Sequence, residues 1–146
     1  MKALIAEDDF ISRQVMERFI VRYGKCVATD NGRVALDAFS KALDDGEPYD
    51  LICLDIMMPE MNGLEALKEI RAIENQRGIA GPSSVKVIMT SALSKSNSIA
   101  LAFSELATSY IVKPIYMKVF DDELKRLGFY RRSQQKSSKA RLSESE

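Results

Sequence analysis

The chain has 146 residues, 46 % of them apolar and 29 % charged, with 21 basic side chains balancing 21 acidic ones. That is enough to bury one continuous core and too little for a second domain of ordinary size. Zero net charge gives no bulk attraction to nucleic acid or anionic lipid, and the absence of histidine excludes His-dependent nucleophile systems, His-ligated zinc and a phosphohistidine donor role.

Met1 to Glu7 reaches acidic residues too soon for a signal-peptide core, and no later apolar run is long enough to cross a bilayer. A cytoplasmic protein with no nucleic acid and no membrane partner is expected. Cys26 and Cys53 fall inside strand-like apolar runs and read as small buried hydrophobes.

The first strand is predicted over Lys2 to Ala6, followed by a helix carrying Ile11, Val15, Phe19 and Ile20 at helical spacing. A second strand, Lys25 to Thr29, leads to a helix over Gly32 to Asp44 that offers Val34, Ala35, Ala38, Phe39 and Leu43 to the core and stops at Gly46 and Pro48. The third strand reads as Tyr49 to Leu54, and its helix begins after Asn62-Gly63, uses Leu64, Leu67 and Ile70, and fades near Gln76. Turn formers from Gln76 to Ser84 predict an exposed loop. A fourth strand over Val85 to Thr90, a helix over Asn97 to Leu106, a fifth strand over Ser109 to Val112 and a helix after Pro114 with Val119, Phe120 and Leu124 on one face complete the pattern. Past Gly128 the composition turns polar and basic, so the domain is expected over residues 1–129 and a flexible tail over 130–146.

Strands alternating with helices argue for an α/β fold, a five-stranded parallel doubly wound sheet. Such a sheet binds its ligand outside the carboxyl ends of the strands, where the strand order reverses. The first strand ends at Glu7-Asp8-Asp9, the third at Asp55, the fourth at Thr90-Ser91 and the fifth at Lys113-Pro114. Taken singly, each has an ordinary role: Asp9 as a helix N-cap, Asp55 as a turn acid, Ser91 as a solvated hydroxyl, Lys113 as a surface charge. Their convergence on one edge carries the argument. Clustered carboxylates repel one another, and oxygen ligands without sulfur or imidazole point to Mg2+. A metal site with an ammonium group and a hydroxyl beside it suits a phosphoryl group, and a carboxylate at its centre can act as the nucleophile.

With these motifs the chain resembles the receiver domain of two-component response regulators. Leu4-Ile5-Ala6-Glu7-Asp8-Asp9, Leu54-Asp55-Ile56-Met57-Met58-Pro59-Glu60-Met61-Asn62-Gly63, Val87-Ile88-Met89-Thr90-Ser91-Ala92 and Tyr110-Ile111-Val112-Lys113-Pro114 carry the likeness. It implies a flavodoxin-like fold with strand order 2-1-3-4-5, Asp55 as phospho-acceptor, and Mg2+ held by Asp9 directly, by Asp8 mainly through water, and by the Met57 backbone carbonyl. It also implies Lys113 on the phosphoryl oxygens, Ser91 as the switch hydroxyl, Tyr110 as the switch aromatic, and a cis Lys113-Pro114 bond.

The phosphoryl group would come from a sensor histidine kinase or a histidine phosphotransfer protein. Output would be binding of a protein target through the fourth and fifth predicted helices and the fifth strand, not turnover; a relay or phosphate sink is the alternative. A phosphatase with an aspartate nucleophile needs a second Asp where Met57 stands. Leu106 occupies a place where the family often has glycine, and Met57 and Leu93 put apolar side chains beside the acceptor, which should slow self-dephosphorylation.

Overall fold

The computed structural model describes residues 1–92 and 106–133. Five parallel strands, β1 (Lys2–Ala6), β2 (Lys25–Thr29), β3 (Leu51–Asp55), β4 (Lys86–Ser91) and β5 (Ser109–Val112), form one sheet in the order β2-β1-β3-β4-β5. Among the described residues the helices are α1 (Phe10–Ile20), α2 (Gly32–Asp44), α3 (Gly63–Gln76) and α4 (Met117–Arg126), with a short 3-10 turn at Gly81–Ser83. The parallel α/β sheet is the one the alternating pattern predicts, and its flavodoxin-like strand order is the one the family resemblance implies. The helix expected over Asn97 to Leu106 lies outside the described residues up to position 105, as do Leu93 and the tail beyond residue 133.

Local chemistry sets the helix starts. Asp9, Asn31 and Asn62 each stand in extended backbone and accept a hydrogen bond from the backbone N–H three residues on, satisfying a donor that the first helical turn leaves orphaned.

The strand side chains alternate between two cores. Leu4, Ala6, Ile52, Leu54, Val87 and Met89 pack with Phe39, Leu67 and Ile70 of α2 and α3. Ala3, Ile5, Leu51, Cys53, Ile88 and Ile111 pack with Met16, Ile20, Phe120 and Leu124 of α1 and α4. β3 is buried along its whole length, as expected of a central strand covered on both faces.

Three apolar side chains assigned to helix faces turned toward the core are exposed instead: Ile11, Val34 and Val119. On α1 the buried stripe runs through Met16 and Ile20, and on α4 through Phe120 and Leu124, four residues apart, which turns Val119 out by about a quarter of a turn. β3 and β4 each begin later and end one residue further on than predicted, so Asp55 and Ser91 are the last residues of their strands. Among the described helices none is long and apolar enough to cross a membrane.

Arg22 at the end of α1 makes a two-pronged contact with Asp121 of α4, at 3.1 and 2.6 Å, and Tyr23 Oη donates to the same carboxylate at 2.6 Å. Past α4 the chain folds back far enough for the Arg132 N–H to donate to the Arg22 carbonyl oxygen at 2.8 Å.

Candidate functional site

β1 lies between β2 and β3, so the crossover directions diverge between β1 and β3 and open a crevice at their carboxyl ends. Glu7 and Asp8 leave β1 into this crevice, and Asp55 closes β3 beside them. One carboxylate oxygen from each of Glu7, Asp8 and Asp55 lies within 4.8 Å of the others. Lys113, just past β5, pairs through Nζ with Glu7 and stands 3.4 Å from Asp55 Oδ1.

Glu7 is 2 % exposed and Asp55 4 % exposed. Burial, followed by hydrogen bonding and repulsion from Glu7, pushes the Asp55 carboxyl up to about 7. Partial burial and contact with Asp55 also raise Asp8. Burial would lower the Lys113 ammonium, but its pairs with Glu7 and Asp55 more than offset this and hold it above an ordinary lysine.

Asp55 is thus flanked by acids that destabilise its charge, with the Lys113 ammonium in compensation. Among the described residues Glu7 Oε2 has no hydrogen-bond partner, although it is buried. An oxygen-only cluster with an orphaned buried carboxylate oxygen fits a hard divalent cation such as Mg2+, which would relieve the repulsion. Asp8, Asp55 and Glu7 are the carboxylates placed to hold it.

Asp8, Asp55 and Lys113 therefore come together as expected, and Asp9 does not join them. Asp9 Oδ2 accepts from the Ser12 N–H at 2.8 Å, and this bond, by favouring the ionised form, holds its carboxyl below the usual range. The acid that sequence reasoning passed over is Glu7. Glu7 directly continues the buried apolar run Ala3 to Ala6 and is drawn into the strand end with it, a signal that was available in the sequence. The position of Asp9 immediately before Phe10, where helical periodicity begins, was the matching sign of a cap.

The register pairs Asp55 with Thr90 and Ser91 with Val112. Ser91 is buried at the strand end, and its carbonyl oxygen accepts from the Lys113 N–H at 2.7 Å. Tyr110 sits opposite Met89 and packs against the core under α2 and α3, and its buried Oη has no hydrogen-bond partner among the described residues. The Lys113-Pro114 peptide is cis. Met57, in the turn after Asp55, is 69 % exposed.

The turn after β3 is held from below. The Gly63 N–H donates to the Ile56 carbonyl oxygen at 2.9 Å, and a Cβ on Gly63 would lie 2.2 Å from the Asp55 carbonyl oxygen. Only glycine allows α3 to start this close to the acceptor.

The model of the response regulator receiver domain family matches residues 3–125. The chemotaxis protein CheY of Thermotoga maritima is 31 % identical over 115 residues, spanning 77 % of this chain and 85 % of that protein. Among solved structures, the response regulator TrrA of Thermotoga maritima in complex with Mg2+ and beryllofluoride superposes with a TM-score of 0.70 at 28 % identity, covering 86 % of this chain and 97 % of that one. The receiver domain of a sensor histidine kinase from Pseudomonas aeruginosa PAO1, with magnesium coordinated in its active-site cleft, gives 0.70 at 25 % identity, covering 86 % and 94 %.

Proposed function

Since the chain belongs to the response regulator receiver family of two-component signalling, we propose that it accepts a phosphoryl group on Asp55 from a histidine kinase or histidine phosphotransfer protein and signals through a changed protein-binding surface. The observation that carries this reading is the confluence of Glu7, Asp8, Asp55 and Lys113 in one crevice, with Asp55 at its centre.

Asp55 is the nucleophile, and its carboxylate oxygen takes the phosphoryl group from the donor's imidazole nitrogen to form an acyl phosphate. Lys113, already 3.4 Å from Asp55, neutralises a phosphoryl oxygen. Glu7, Asp8, Asp55 and the Met57 backbone carbonyl would hold Mg2+. When bound, the ion supplies charge neutralisation for the transferring group.

Ser91 turns its hydroxyl to the new anion, and Tyr110 follows into the space released, which biases the surface of β5 and α4. Exposed Val112, Tyr116, Met117 and Val119 on that side supply apolar area suited to a protein target. Phe10 and Ile11, exposed at the start of α1 beside the acid cluster, and Met57 supply a similar rim for the phosphodonor. Two free thiols fit a reducing compartment, and a cytoplasmic location is part of the same proposal.

Incubation with acetyl phosphate and Mg2+ followed by electrophoresis in a phosphate-binding gel tests the acceptor. A retarded band that is lost in Asp55→Asn is expected, and a band that persists in that variant overturns the assignment. The likeness to a sensor kinase's receiver domain favours a relay as the second reading. Return of the label to a histidine phosphotransfer protein on mixing would select it.

A further inference from the structure

We infer that Arg13 is a positioning residue for the acid cluster, holding the turn after β1 so that Glu7 and Asp8 present their carboxylates to the pocket. The inference rests on the reading of that cluster as a Mg2+ site.

The ladder of β1 runs out at Glu7, whose N–H donates to the Thr29 carbonyl oxygen at 3.0 Å. Beyond that bond the turn must hold two carboxylates near a third against their mutual repulsion. Arg13, one turn into α1, spans the same stretch from the other side. Its Nη1 donates to the Glu7 carbonyl oxygen at 2.8 Å and reaches the Asp8 carbonyl oxygen at 3.5 Å. Its backbone N–H donates to the Asp9 carbonyl oxygen at 2.9 Å.

One residue thus ties three successive carbonyls of the turn to the first coil of a helix that Asp9 itself caps. The Arg13 guanidinium carbon also lies 5.6 Å from the centroid of the Phe10 ring, which limits the swing of the side chain.

In the acid turn the Arg13 guanidinium donates to backbone carbonyls, so it acts through Glu7 and Asp8 rather than on the metal. A field effect would have the opposite sign: a cation beside a divalent ion repels it, and its removal would tighten binding. Loss of a group that orients metal ligands loosens binding, by roughly tenfold.

Calorimetric titration with Mg2+ alone, on wild type, Arg13→Ala, Arg13→Lys and Asp8→Asn, decides the matter. Alanine is the best helix former, so Arg13→Ala keeps α1 intact. Expected are roughly tenfold weaker binding in Arg13→Ala, recovery to within about threefold of wild type in Arg13→Lys, and no measurable binding in Asp8→Asn. Unchanged or tighter binding in Arg13→Ala overturns the inference, as does Arg13→Lys binding as weakly as Arg13→Ala. Absence of Mg2+ binding by wild type, or wild-type-like binding by Asp8→Asn, overturns instead the reading of the cluster as a metal site.

Discussion

Lys113 Nζ pairs with Glu7 while standing 3.4 Å from Asp55 Oδ1, so a single ammonium serves two buried carboxylates. Removing it leaves both acids without their compensating charge. Lys113→Met is expected to destabilise the metal-free protein by about 3 kcal/mol, the cost of an uncompensated buried charge. The double variant Lys113→Met, Glu7→Gln should recover part of that loss. Urea denaturation of the four members of the cycle measures the coupling, expected at about 1–3 kcal/mol. Strict additivity would show that the pair does not interact.

The raised Asp55 carboxyl predicts stability that changes with pH in a definite direction. Its folded value, about 7, lies above the ordinary aspartate value of 3.8. The folded protein therefore holds a proton that the unfolded chain has released, and stability falls as pH rises from about 4 to about 7. Asp55→Asn removes this liability. Without Mg2+, the variant is expected to be more stable than wild type above pH 7 by about 1–3 kcal/mol, with the difference shrinking toward pH 4. Thermal melts across that range, in the presence of a chelator, provide the measurement.

Much of this site could be read from the chain because central parallel strands are buried on both faces. Leu51 to Leu54 gave an unbroken apolar run ending in a conspicuous acid, and the ends of β4 and β5 were marked in the same way. The identity of the second acid was harder to read, since three consecutive acidic residues offer two adjacent pairs. Geometry decided between them: Glu7 continues the buried strand into the crevice, and the helix takes Asp9 as its cap. Ile11, Val34 and Val119 were assigned to the core because composition does not separate surface apolar residues from buried ones. The buried Arg71–Glu74 pair left no local mark, because its partners, the Val85 backbone and the Leu106 carbonyl, are distant in sequence.

The two roles given to adjacent aspartates separate under substitution. Asp9→Ser keeps a side-chain oxygen for the Ser12 N–H and is expected to retain the cap and Mg2+ binding, whereas Asp9→Ala should cost about 1 kcal/mol of stability. Asp8→Asn should leave stability within about 1 kcal/mol and abolish the response to Mg2+. Melting temperatures with and without Mg2+ read both effects. Loss of the Mg2+ response in Asp9→Ser would restore Asp9 to the metal shell.

Glu60 holds a positive φ of 65° in the turn below Asp55, a conformation that disfavours side chains, and Gly63 closes the same turn with a Cβ position only 2.2 Å from the Asp55 carbonyl oxygen. The two positions should respond to substitution in opposite ways. Glu60→Gly relieves the left-handed strain at some cost in chain entropy, leaving a net gain of up to about 1 kcal/mol. Gly63→Ala forces Cβ into backbone that cannot move without shifting the acceptor, and is expected to cost about 2–4 kcal/mol. Folding stability by urea titration tests the pair, and a neutral Gly63→Ala would mean that the turn is looser than the geometry indicates.

At the far end of α1 the contact of Arg22 and Tyr23 with Asp121 ties α1 to α4. Burial disfavours the charged Asp121, but the hydrogen bonds from Arg22 and Tyr23 outweigh it and hold the carboxyl below the usual range. With a depressed folded value, the stabilisation is complete above the unfolded carboxylate range and disappears as pH falls through the folded value. Asp121→Asn is therefore expected to cost about 1–2 kcal/mol at neutral pH, where the charge-assisted bonds are intact. At a pH low enough to protonate the wild-type carboxyl in the folded state as well, the two proteins should have about equal stability. Urea midpoints at both pH values check the sign; a deficit that persists in acid would assign the effect to packing between α1 and α4 and not to charge.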